Sequence, residues 1–149
     1  AMLTDEIMDR LALSLPPGIE VDVPPNCFAH MLGEFVDFDE AGKLLTARFP
    51  VLERYQNPLF TMQGGLSVAA IDNTIGPLSW LVAPPSVTTQ INTSYIRPVT
   101  RDDAFIRVEG AVDEVTRRQL FLSARVINPA GKLVAVCHAT CAVIQAVNE

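Results

Sequence analysis

A glutamine, two glycines and one aspartate are the residues of this 149-residue chain best placed to do chemistry. Gln63-Gly64-Gly65 stands where a loop enters a long apolar run, and Asp72 is the only charged residue within that run. Glycine lets a ligand come close to the backbone. The first turn of a helix leaves N–H groups without intrahelical partners, and the helix dipole adds positive potential there. Such a site can polarise a carbonyl and stabilise an oxyanion. A carboxylate in an apolar helix costs free energy unless it is paired, hydrogen-bonded or open to a cleft. Asp72 is therefore either a working carboxylate or an aspartate that reaches solvent or hydrogen-bonds its neighbours.

Other chemistries find little support. Cys27, Cys137 and Cys141 are an odd number without paired spacing, which argues against a disulfide framework and fits a reducing, cytoplasmic setting. On a strand, Cys137 and Cys141 would share a face, and core packing is their expected role. His30 and His138 are the only histidines, too few for a histidine-based zinc site. Ser67 lacks a Gly-x-Ser-x-Gly context, and no phosphate- or dinucleotide-binding glycine loop occurs. The expectation is no metal and no organic cofactor.

Composition narrows the class further. Eleven basic and 17 acidic residues give a net charge of −6, a field that repels nucleic acid and anionic membrane. With 49% hydrophobic and 19% charged residues the chain is not disordered; it fits one domain over residues 1–149, and its apolar content suggests a homo-oligomer. Asp5, Glu6 and Asp9 stand where a secretory leader needs positive charge. Residues 66–84 resemble a membrane span in length, but Asp72, Asn73, Thr74 and Pro77 interrupt them, so a helix buried in protein is expected.

The elements that must position these residues follow from pattern. Leu3, Ile7, Met8 and Leu11 recur at helical spacing behind Thr4 and Asp5 as capping candidates, and Pro16-Pro17-Gly18 ends that helix. Residues 1–25 thus form a helix and a proline-rich lead-in, with a turn at Pro24-Pro25-Asn26. Residues 28–38 and 43–49 read as a hairpin, residues 50–62 as irregular, and residues 64–83 as one long helix stopped by Pro84-Pro85. Strands are expected over residues 87–98, 104–115 and 133–147, with Leu120, Leu122, Ala124 and Val126 as the inner set of another. These last four read as a consecutive antiparallel meander. A helix apolar nearly all round needs cover on most sides. The economical solution is an α+β architecture, a curved antiparallel sheet wrapped around one long central helix, with its other face free to meet a second subunit.

From about residue 50 to residue 143 the chain resembles the hotdog-fold acyl-CoA thioesterases of the PaaI-like type. That family's pattern is an Asn, six residues on a His-Gly-Gly, and nine residues past the His an Asp or Glu. Asn57, Gln63-Gly64-Gly65 and Asp72 stand at those spacings. Residues 87–98, ending in Arg97-Pro98, and Gly131-Lys132-Leu133-Val134-Ala135 resemble two later strands of the family.

The resemblance implies hydrolysis of an acyl- or aryl-CoA thioester in a site formed between two subunits of a dimer, itself half of a tetramer. It makes Asp72 the nucleophile or the general base and the partner's Gly64 amide the donor to the thioester oxygen. Asn57 would position the group nearby, and Thr88 would help hold the water. Gly65, Leu59, Phe60 and Met62 would lie along the substrate, with Trp80 either there or in the core. Arg97, Arg101, Arg117 and Arg118 would meet coenzyme A phosphates or remain solvated.

Gln63 departs from the pattern. Glutamine hydrogen-bonds but does not exchange protons near neutral pH, so it can orient a thioester and cannot serve as an acid or base. That favours one alternative, a protein that binds acyl-CoA or a fatty acid without turning it over. A second, a hydratase, would need a histidine beside the carboxylate.

Overall fold

The computed structural model describes residues 2–15 and 18–144. Helix α1 (Met2–Leu13) and a short helix α2 (Asn26–His30) precede strands β1 (Glu34–Asp39) and β2 (Leu44–Pro50). The long helix α3 (Gly64–Val82) follows. Strands β3 (Ser86–Tyr95), β4 (Phe105–Val115), β5 (Gln119–Ile127) and β6 (Leu133–Val143) complete the chain. All six strands form one antiparallel sheet in the order β1-β2-β4-β5-β6-β3.

Helix α3 packs on the sheet through a face that alternates every three or four residues. Ala70, Ile71, Thr74, Ile75 and Leu78 have no exposed surface. Facing them are Leu45, Ala47 and Phe49 of β2, Ile106 and Val108 of β4, and the β5 set Leu120, Leu122, Ala124 and Val126, all buried. At Gly110 of β4 an added Cβ would stand 3.3 Å from Ile75 Cγ2, so glycine there lets the helix sit close to the sheet. Two buried hydroxyls on α3 bond back to its own carbonyls, Thr74 to Ala70 at 2.9 Å and Ser79 to Gly76 at 2.6 Å, which offsets their desolvation. Among the described residues no helix is long and apolar enough to cross a membrane.

Three expectations need correction. Residues 28–33 are not strand: Phe28 lies on α2, and its ring stacks on Phe35 at 4.7 Å and meets Phe49 edge-on at 5.8 Å. The apolar run there serves a packed helical turn rather than an edge. Strand β3 does not pair with β4. It crosses to the far side of the sheet and pairs with β6, so only β4-β5-β6 is a meander. The helix bridging β2 and β3 makes that crossing possible, because it carries the chain over the sheet before β3 begins. Thr4 does not cap α1; its hydroxyl accepts from Phe35 N at 2.9 Å and ties α1 to the edge strand β1. Residues 16 and 17 of the predicted turn and residues 145–147 of the predicted last strand lie outside the described residues.

The core argument gives a direct test. Ile75→Ala should lower unfolding free energy by about 2–5 kcal/mol in a denaturant titration, since the cavity opens against sheet on all sides. A change below half a kcal/mol would contradict the packing described.

Candidate active site

Residues 57–63 form a tight, internally bonded loop. Asn57 Oδ1 accepts from Leu59 N at 2.9 Å and Thr61 N at 3.2 Å, and its amide donates to Thr61 Oγ1 at 2.8 Å. Asn57 thus spends its side chain holding the loop. Gln63 N donates to Tyr55 O and Met62 N to Val99 O, each at 2.8 Å, which fixes the approach to α3. Leu59 and Phe60 project outward, 80% and 60% exposed, and line neither of the two clefts that border Gly64 and Asp72. The Phe60 ring lies 5.4 Å from the Arg101 guanidinium.

Gln63 occupies the N-cap of α3 and makes no side-chain cap bond. Within the described residues the Gly64 and Gly65 N–H groups have no acceptor, whereas Leu66 N already bonds Gln63 O at 2.9 Å. A Cβ at Gly64 would lie 2.9 Å from Tyr95 Cζ and would displace that ring, whose hydroxyl donates to Gly64 O at 2.7 Å. Burial pushes the Tyr95 hydroxyl pKa up, and the nearby Cys137 thiol adds to the rise, so it remains a donor. At Gly65 an added Cβ would meet nothing within 4 Å, so that glycine answers to no neighbour in its own chain. A cleft of about 350 Å³, lined by Gly64, Ser67, Tyr95 and Arg97, opens beside this end of the helix.

Asp72 lies two turns further along α3 and is exposed. Thr88 Oγ1 donates to Asp72 Oδ1 at 2.9 Å, and Thr88 Oγ1 lies 3.8 Å from the Cys141 sulfur. A register shift in the β3–β6 ladder between Thr88 and Gln90 sorts two adjacent threonines. Thr88 turns to the helix, while Thr89 donates to Thr140 O at 3.0 Å. Bulges commonly re-aim side chains in this way beside functional sites. Burial raises the Cys141 and Cys137 pKa values, and the Asp72 charge adds to both, so the thiols stay protonated under the carboxylate.

The bonds Tyr95 to Gly64 and Thr88 to Asp72 identify the flank of α3 that lies over β3. Gly64, Val68 and Asp72, spaced four apart, form one row on it. Eight helical residues span about 12 Å, so one chain does not bring Gly64 and Asp72 to the same carbonyl. Of the residues singled out from sequence, the structure unites Asp72 with Thr88. It groups Asn57, Gln63, Gly64 and Gly65 separately at the helix start.

Two features escaped the sequence. The Tyr95 bond to Gly64 joins residues 31 apart, and Val21, Val23 and Pro25 of the lead-in form the wall of a second cleft, about 260 Å³, that reaches Asp72. The alternation over residues 87–98 pointed to inward side chains, but the register shift hid which ones. His30 ends α2, and His138 stands on β6 facing away from α3 between buried Cys137 and Ala139; both are exposed. Neither histidine hydrogen-bonds Asp72. Among the described residues no cluster of three or more His, Cys, Asp or Glu is placed to hold a metal. Trp80, whose role was open, is half-buried and donates from Nε1 to Ser86 O at 2.8 Å.

Comparison with solved structures supports this architecture. The PaaI protein of Escherichia coli, from the phenylacetic acid degradation operon, superposes with a TM-score of 0.76 at 15% identity, over 82% of this chain and 86% of that one. A putative thioesterase from Ralstonia eutropha, related to phenylacetic acid degradation, gives 0.77 at 23%, over 90% and 98%. A Streptococcus mutans protein bound to acetyl CoA gives 0.72 at 19%, over 87% and 97%. No curated protein matches the chain. The family model described as thioesterase superfamily matches residues 61–135, just over half of the 149. With its curved sheet around α3 the chain has the hotdog fold, and it belongs to the thioesterase superfamily.

Proposed function

We propose that the protein hydrolyses acyl- or aryl-CoA thioesters as a homodimer, with a water or carboxylate attack directed by Asp72. The observation that carries this reading is the row Gly64-Val68-Asp72 on the β3 flank of α3, with a carboxylate at one end and unpartnered amides at the other. Strand β3 is an edge of ten residues, rich in Thr, Gln, Asn and Ser, whose outer N–H and C=O groups have no strand beside them among the described residues. Such an edge is a template for another strand. Pairing β3 with its copy around a twofold axis would run the two α3 helices antiparallel. With the axis level with Val68, each Asp72 would oppose the partner subunit's Gly64 and Gly65 amides.

The division of labour then follows. The thioester carbonyl carbon meets Asp72, either directly or through a water whose proton Asp72 accepts. The oxygen, negative in the tetrahedral state, is met by the partner's helix N-terminus. Thr88 donates to one carboxylate oxygen and leaves the other for the reaction. Tyr95 holds the Gly64 carbonyl and so steadies the first turn. Gln63, whose side chain makes no cap bond, would orient the thioester by hydrogen bonding, without proton transfer. The solved relative with acetyl CoA supports a coenzyme A ester as substrate class.

Incubation with a panel of short, medium and aromatic acyl-CoAs and a thiol reagent tests the reading. Thiol release should fall by about 10²–10⁴-fold in Asp72→Asn. No release above background across the panel would overturn hydrolysis and favour the non-catalytic binder that Gln63 suggests.

Thr88→Val should lower kcat by about ten- to a hundredfold, given that a hydrogen bond to a charged group contributes about 1.5–3 kcal/mol, whereas Thr88→Ser should retain most of the rate. Equal losses in both variants would remove the hydroxyl from the mechanism.

Val68→Glu would set two like charges against each other at the twofold. The variant should sediment as a monomer with an unchanged circular-dichroism spectrum and lose about 10²–10³ in kcat through loss of the oxyanion donors. A wild-type chain that is monomeric and active would overturn the shared site.

A further inference from the structure

We infer that the cleft beside Asp72 seats the acyl part of the thioester and selects uncharged aryl or medium-length groups; this rests on the hydrolytic reading above. The cleft measures about 260 Å³, and a cavity of about 150 Å³ already admits benzene. Its helical side is Asp72, Gly76, Pro77 and Trp80. Gly76 lies one turn beyond Asp72, and a Cβ there would meet nothing within 4 Å, so this glycine supplies the depth next to the carboxylate. Trp80 is a fixed aromatic wall: its only donor is already bonded to Ser86 O at 2.8 Å, which leaves the ring face and no polar hook.

The opposite wall is Val21, Val23 and Pro25 of the lead-in. These residues lie outside residues 61–135, the stretch that the superfamily model matches. Charge sets the second selection rule. Asp22 and Asp72 both border the cleft and no Lys or Arg lines it, so a tail ending in carboxylate meets two like charges and no counter-ion. The same field acts on the acid product once its carboxylate forms, and favours its departure.

Trp80 is the chain's only tryptophan, so its fluorescence reports on this cleft alone. The probes are ketone analogues of acyl-CoA, in which a methylene between sulfur and carbonyl blocks hydrolysis, carrying methyl, n-pentyl, phenyl or ω-carboxybutyl tails, together with CoA itself. Affinity is measured by calorimetry and emission in parallel, on the whole chain. Phenyl and pentyl tails should shift Trp80 emission, CoA and the methyl tail should not, and the ω-carboxybutyl tail should bind at least about tenfold more weakly than pentyl. Gly76→Leu should lower phenyl and pentyl affinity about tenfold relative to the methyl tail, while circular dichroism stays unchanged, because leucine is the better helix former.

Phenyl or pentyl binding without an emission change overturns the assignment, as does an emission change with CoA alone. Unaltered tail selectivity in Gly76→Leu, or no tail binding better than CoA, overturns it too. The two readings fail separately. Emission shifts without thiol release from the true esters remove hydrolysis and leave the cleft assigned. Thiol release with tails that bypass Trp80 removes the cleft alone.

Discussion

A rigid helix sets the distance on which the proposed chemistry turns. Gly64 and Asp72 are eight residues apart on α3, about 12 Å along its axis, and α3 cannot shorten because its inner face is locked into the sheet. Ile71, Ile75 and Leu78 have no exposed surface, and Gly110 lets the helix press close. The first-turn amides and the carboxylate therefore stand at a fixed spacing, on a flank that runs over the β3 edge. In the proposed dimer that spacing becomes useful, because an antiparallel copy presents its two groups in the opposite order.

The electrostatics of the site grow from the same packing. Asp72 sits at the rim of the core, above two protonated thiols and beside a hydroxyl that the β3 register shift turns toward it. The carboxylate keeps solvent on one side and gains one directed donor on the other. At the helix start the opposite sign prevails, with Gly64 and Gly65 N–H groups lacking an acceptor among the described residues and a tyrosine steadying the carbonyl behind them. In the proposed mechanism the carboxylate at mid-helix and the amides at the helix start would meet complementary demands of a carbonyl addition: attack at carbon and charge relief at oxygen.

The lead-in gives the fold a second layer of meaning. Residues 21–25 could have been an inert tether, yet they form one wall of the cleft that Asp72 borders, while α1 is tied to β1 by Thr4 and to Glu40 by Arg10. In the proposed cleft the superfamily stretch supplies the carboxylate, and a segment outside it shapes what the carboxylate meets.

Local pattern alone determined a good deal. The long helix, its stop at Pro84-Pro85 and the inner residues of β4 and β5 all follow from periodicity, and the structure holds them where that periodicity puts them. The spacing of Asn57, Gly64, Gly65 and Asp72 was equally readable, because it is a one-dimensional fact. Pattern failed where long-range packing outbid it: Phe28 was drawn into a helix by Phe35 and Phe49, and β3 crossed the sheet to pair with β6. Which threonine meets Asp72, that Asn57 bonds its own loop, and that Val21 and Trp80 face one another across a cleft were decided only in three dimensions. The physical reason is that residue spacing is encoded along the chain, whereas a hydrogen bond or a cleft wall depends on where separate segments come to rest against a common core.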